Sequence, residues 1–145
     1  MNKAHASPHL SSKEKAEILL RTAMSKKAAD PVLIRLDELT VLTDYFVIVS
    51  ARSEKQVTAV AEAVIEEARK RKIVRYSAEG VHQGHWALLD YGDVIVHVFH
   101  RPVREFYDLE GLWVEAPREK IPDDILAEME TAEEEPEEEE EWWEH

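Results

Sequence analysis

The stretch 85–100, HWALLDYGDVIVHVFH, constrains this chain more than any other. It begins with an apolar run (Trp86, Ala87, Leu88, Leu89) and turns polar at Asp90, Tyr91, Gly92 and Asp93. It leaves through a second apolar run, residues 94–99. Two short apolar runs joined by a link containing Gly and Asp predict a β-hairpin. Neither run alternates cleanly. Both faces of these strands are therefore expected to be covered, as in the middle of a layered α/β sheet. The turn gathers Trp86, Asp90, Tyr91 and Asp93 at one end of that sheet.

Upstream, Ser11 followed by Glu14 predicts a capped helix start, and Ala16, Leu19, Leu20 and Ala23 follow at helical spacing. The helix is expected to end within 26–29, stopped by Asp30 and Pro31. Residues 32–36 read as a short strand. Residues 44–50 read as the strongest strand, by their β-branched and aromatic content. Ser53 with Gln56 predicts a second capping box. It opens a helix in which Val57, Val60, Ala61, Val64, Ile65 and Ala68 share one face. Residues 73–78 read as a strand and 79–84 as a loop.

After the hairpin, Pro102 suits the first turn of a short helix over 103–109, with Phe106 and Leu109 inward and Gly111 as its stop. Leu112, Trp113 and Val114 read as a last apolar anchor, and a further helix is expected from 122 to about 129. This order predicts an α/β fold, a mixed sheet of about five strands with helices packed on it. The strand, long helix and strand in its middle suggest a right-handed crossover between parallel strands.

A chain of 145 residues fits one domain. The expected organisation is a flexible arm over 1–10, the α/β domain over 11–117, and an acidic, mostly disordered tail over 118–145. The net charge is −13, and residues 119–145 carry 14 acids and one lysine, so the tail holds all of the excess. The neutral body lacks the basic field of a protein that binds nucleic acid by neutralising phosphates, and direct DNA binding is not expected. There is no cysteine, which excludes disulfides and thiolate catalysis and suits a reducing cytoplasm. No apolar run approaches the ~20 residues of a membrane span, and the first residues hold no signal-peptide core. A cytoplasmic location and no membrane contact are the expectation.

His82 and His85 lie three apart, as do His97 and His100. On a strand, positions three apart face opposite sides, so the second pair cannot easily share a metal. No cysteine or H-E-x-x-H supports the first pair, and ordinary histidines are the better reading. Asp90 and Asp93, with Asp44, form the weak outline of a magnesium-dependent nucleotidyl or phosphoryl transferase. Aspartates at a tight turn more often bond backbone amides. No P-loop, dinucleotide fingerprint or nucleophile elbow is present. The run 69–72, Arg-Lys-Arg-Lys, complements a helix dipole better than it makes an RNA patch. What remains are Trp86, Tyr91, Tyr107 and Trp113. Aromatics at a polar turn are favoured as interface anchors.

These residues also carry a resemblance. Asp44-Tyr45-Phe46-Val47-Ile48, then Ser53-x-x-Gln56-Val57, Glu79-Gly80, the block from Trp86 through Leu88-Leu89-Asp90-Tyr91-Gly92-Asp93 to His97 and Phe99, and Arg104-Glu105-Phe106-Tyr107-Asp108-Leu109 with Leu112-Trp113 resemble the ribosomal silencing factor (RsfS, Iojap) family. The similarity runs in order across about residues 12–114, with arm and tail outside it. It implies a sheet related to nucleotidyltransferases, without the Gly-Ser and Asp-x-Asp signature of those enzymes, and so no enzyme and no cofactor. It implies binding to the large ribosomal subunit, chiefly to its ribosomal protein fourteen. The bound factor blocks association with the small subunit and represses translation under nutrient limitation. Relatives in organelles imply a role in large-subunit assembly, so a direct rRNA-binding assembly factor stands as an alternative. Homodimers of the free protein are also implied. Carried over by position, the partner-binding residues are Trp86, Asp90, Tyr91, Gly92, Asp93, His97, Tyr107 and Leu109. The acidic tail departs from the family pattern and is expected to serve solubility.

Overall fold

The computed structural model describes residues 9–132. The arm before residue 9 and the glutamate-rich stretch from 133, expected from composition to stay unfolded, lie outside the described residues. Helix α1 (Ser12–Ser25) opens with the reciprocal capping box: the Glu14 amide donates to Ser11 Oγ, and the Ser11 amide to Glu14 Oε1. Its Ala16, Leu19, Leu20, Ala23 and Met24 are buried. Strand β1 (Ala29–Arg35) follows at once. Asp30 and Pro31 do not end the helix, which stops at Ser25. They sit in β1, where Asp30 has φ 52° and the register to the next strand slips between Ala29 and Val32. A bulge tolerates proline because no ladder amide is needed there.

Strand β2 (Tyr45–Ala51) is buried along its whole length. Helix α2 (Glu54–Lys70) then buries Val57, Val60, Ala61, Val64 and Ala68. Ser53 Oγ accepts from the Gln56 amide, but Gln56 does not close the box. Its Oε1 accepts from the Arg52 amide at 2.6 Å, and its Nε2 donates to the Lys26 and Lys27 carbonyls, both at 3.1 Å. Carbonyls at the end of α1 lack intrahelical donors, and a glutamine can supply one where a glutamate cannot.

Residues 73–76 are not strand. Strand β3 covers only Ser77–Glu79. The hairpin is as expected: β4 (Trp86–Asp90) pairs antiparallel with β5 (Val94–His100). Among the described residues the sheet has six strands, in the order β3-β4-β5-β2-β1-β6. Strands β2 and β5 pair parallel, so the central two strands are the most enclosed. By the chain of pairings β3 runs parallel to β2, but β4 and β5 lie between them.

Two short helices lie over part of the second face. Helix α3 (Arg101–Tyr107) has Pro102 in its first turn and ends at Asp108, φ 49°. Helix α4 (Leu109–Leu112) starts on the same residue, whose carboxylate accepts from the Gly111 amide. Gly111 therefore lies inside a helix and does not stop one. Phe106 points outward, 70% exposed, and Leu112 and Val114 are exposed too, so the expected apolar anchor reduces to Trp113. Folded chain continues past Pro117. Strand β6 (Arg118–Glu119) pairs with β1, and helix α5 (Asp123–Ala132) buries Ile125 in the core beside α1.

The core is therefore double. Beneath α1, α2 and α5 lies a large cluster that includes Ala87, Leu89, Tyr91, Val94, Val96 and Val98. On the other sheet face a smaller cluster joins Ile34, Leu36, Phe46, Ile48 and Phe99 to Val103 and Leu109 of the short helices. Three long helices cover the first face; two short ones cover only part of the second.

A candidate docking site on the open sheet face

Strand alternation sorts the hairpin. Ala87, Leu89 and Tyr91 point under the long helices, while Trp86, Leu88 and Asp90 point to the open face and are half-buried. On β5 the odd residues Ile95, His97 and Phe99 share that face. The expectation that both faces of β4 are covered fails for this reason.

Trp86 sits across the strand pair from Phe99, and their rings stack at 4.7 Å. Its Nε1–H donates to His97 Nδ1 at 3.1 Å. Tyr107, brought over by α3, lies 5.1 Å from the Trp86 ring, with Phe106 edge-on to it at 5.1 Å. Phe46 meets the His97 ring at 4.5 Å and Trp113 at 6.0 Å. The result is a patch of aromatic rings rooted in the sheet and open at the Tyr107 and Phe106 end. Tyr107 is 49% exposed.

The patch is held from below by Arg104, only 8% exposed. Its guanidinium donates to the Asp30 carbonyl and Ser50 Oγ, both at 2.8 Å, and to Glu110 at 2.7 Å. One side chain thus ties α3 and α4 to the β1 bulge and to β2. Burial is the largest single influence and pushes the Glu110 carboxyl up; the bond to Arg104, the charges of Arg104 and Arg118 and a backbone bond together outweigh it and hold that carboxyl below its ordinary value. The positive φ of Asp30 is supported at the same place, where Arg101 pairs with its carboxylate at 3.0 Å.

The remaining expected site residues separate. Tyr91 is 2% exposed and belongs to the helix-side core, where burial, against the weaker opposing charge of Arg75, pushes its hydroxyl up to about 12. The turn parity decides this: Tyr91 continues the inward series of Ala87 and Leu89. Gly92, φ 88°, makes the turn and lies under the Tyr76 ring. Asp90 Oδ1 accepts from the Gly92 amide at 2.8 Å. Asp93 Oδ1 pairs with Lys15 of α1 at 2.8 Å, and its carbonyl takes the amides of Asp44 and Tyr45. Asp90 thus builds the turn, as turn aspartates do, while the Asp93 carboxylate ties the turn to α1. Leu109 is buried and seats α4 on the sheet. His97 is 3% exposed.

Among the described residues, no three of His, Asp or Glu stand together so as to hold a metal ion. His85 pairs with Glu54 at 2.9 Å. In the basic run, Arg69 pairs with Glu66 and Arg71 with Glu67, an ordinary solvated helix end. No helix among the described residues is long and apolar enough to cross a membrane. The sequence reading missed Phe46, Phe106 and Arg104. For Phe106 a signal lay in the shortness of the helix, which with Val103 and Leu109 already inward leaves little apolar face for a further large ring.

Fold and patch define a small α/β domain with an aromatic patch on one sheet face. The profile of the family described as "Ribosomal silencing factor during starvation", RsfS, matches residues 9–144. The ribosomal silencing factor RsfS of Halalkalibacterium halodurans is 37% identical over 108 residues, covering 74% of this chain and 92% of that protein. That of Bacillus subtilis is 39% identical over 92 residues, covering 63% and 78%. A crystal structure of a protein from Chromobacterium violaceum superposes with a TM-score of 0.70 at 30% identity, covering 72% of this chain and 87% of that one. The chain belongs to the ribosomal silencing factor family. The profile match also runs past residue 114 and begins at residue 9, so the tail and the end of the arm, expected to lie outside the similarity, fall within it.

Proposed function

We propose that this protein is a non-enzymatic anti-association factor. It docks on the large ribosomal subunit through that subunit's ribosomal protein fourteen. There it keeps the small subunit away by occupying space, and so lowers translation when nutrients are short. Its place of action is the cytoplasm, where ribosomes are. The single observation that carries the reading is the aromatic patch. Tyr107 and Phe106 stand exposed beside a half-buried Trp86 on the one sheet face that the long helices leave open. Aromatics in such a place are favourable when a partner surface covers them. The neutral body supports a protein contact over a wrap around rRNA. No observation favours the transferase, because the Asp90 and Asp93 side chains are engaged within the fold.

Occupancy is sufficient as a mechanism. A blocker present at ~100 times its Kd opposes joining by about 2.7 kcal/mol. Sedimentation of purified subunits with the full chain tests it. Co-migration with the large subunit and fewer joined particles are expected. Trp86→Ala should weaken that binding by about 2 kcal/mol, roughly 30-fold in Kd, while the protein stays folded. Unchanged binding by the folded variant would remove Trp86 from the interface.

A further inference from the structure

His97 is placed oddly for a residue that a partner touches. It is 3% exposed, ringed by Phe46, Trp86 and Phe99. It is also odd for plain core. Its Nε2 is shielded from water and meets no hydrogen-bond partner among the described residues. A leucine or phenylalanine there would avoid the cost of an unsatisfied buried group.

The other nitrogen gives the reason. An indole N–H can only donate, so the Nδ1 that meets Trp86 Nε1 at 3.1 Å must carry a lone pair. The imidazole is then neutral with its proton on Nε2. An imidazolium, or the opposite tautomer, would set two N–H groups against each other. Burial agrees in direction, holding this imidazole down to about 3.

We propose that His97 is a positioning residue of the docking patch: it accepts the Trp86 indole N–H and thereby holds the ring flat on Phe99. This rests on the docking reading given above. Its consequence concerns specificity. The one hydrogen-bond donor of Trp86 is engaged inside the chain, so the partner meets the indole as an apolar plate. The complementary surface on that partner is apolar, with no acceptor aimed at Trp86. Without His97 the indole has no acceptor at this position and can turn its N–H outward.

Three measurements on the full chain test this. In the wild type, nitrogen-15 NMR should find His97 protonated at Nε2 and bare at Nδ1; the reverse tautomer overturns the proposal. Next, exchange of the Trp86 indole proton, assigned by its loss in Trp86→Phe, is followed in His97→Leu and His97→Asn. The leucine should speed exchange about tenfold, the worth of one hydrogen bond, and the asparagine, whose amide oxygen reaches the place of Nδ1, should restore most of the protection. Equal protection in all three proteins overturns it. Finally, binding to purified large subunits should weaken about tenfold in His97→Leu and recover in His97→Asn. If Trp86→Ala lowers binding and His97→Leu does not, His97 positions nothing that matters to docking. If the full chain does not bind large subunits at all, the docking reading fails; if it binds and Trp86→Ala leaves that binding unchanged, Trp86 lies outside the interface and the positioning role falls, whatever the NMR measurements say of the hydrogen bond.

Discussion

His97 and Arg104 are both buried polar side chains beneath the patch, and they respond to solvent conditions in different ways. Rings surround His97, and burial holds its imidazole down to about 3, against an ordinary value near 6.5. Protons therefore bind the unfolded chain preferentially between those values. The contribution to stability is full above about pH 6.5 and is lost as pH falls toward 3, with about 2 kcal/mol gone by pH 5. Urea melts of wild type and His97→Leu at pH 7 and pH 5 should show a loss larger in the wild type by about this amount. Arg104 leaves a different gap. Arg104→Met strands a partly buried Glu110 carboxylate, Ser50 Oγ and the Asp30 carbonyl. A cost of about 3 kcal/mol is expected in denaturant melts, with part regained when Glu110→Gln is added. A null result for the single variant would mean that α3 is anchored by its apolar contacts alone.

At the scale of elements, α3 and α5 decide how much of the sheet is covered. Helix α3 is seven residues long and could not persist alone. It is held by Pro102 at its start, by Asp108 shared with α4, and by Arg104 underneath. That arrangement places Tyr107 over Trp86 and leaves Phe106 outward. Helix α5 does the opposite service on the far face. Ile125 is 1% exposed, and Asp124 forms a two-point ion pair with Arg21 of α1. The ion pair is exposed and worth little. The isoleucine is the anchor, so Ile125→Ala should destabilise the whole domain by about 2–4 kcal/mol in thermal or urea melts. Near-wild-type stability would mean that α5 is an appendage of the domain and not part of its core.

For the molecule as a whole, the two faces of one sheet are treated unequally. Long amphipathic helices seal one face. Short helices cover part of the other and frame the aromatic patch. The local elements were legible because their signals lie within four residues. Ser11 with Glu14, the valines of α2 and the Gly92 turn each read correctly from neighbours alone. Strand β6 was not legible: two residues carry no period, and Arg118 and Glu119 become strand only because β1 offers an unpaired edge. Residues 73–76 failed the other way. They have strand-like side chains but no ladder partner beyond the Tyr76 amide.

By itself, the sequence determined the capped helices, the hairpin and its turn, the mixed α/β class and the family, because each rests on local spacing or on residues in a recognisable order. Only the tertiary structure decided which aromatic of that hairpin looks outward. Both faces of β4 and β5 are apolar in composition, so alternation could sort Trp86 from Tyr91 without saying which side is open. That choice is made by coverage. The long helices pack on the Tyr91 face, and the other face keeps Trp86 and Tyr107 partly exposed, with His97 buried behind them.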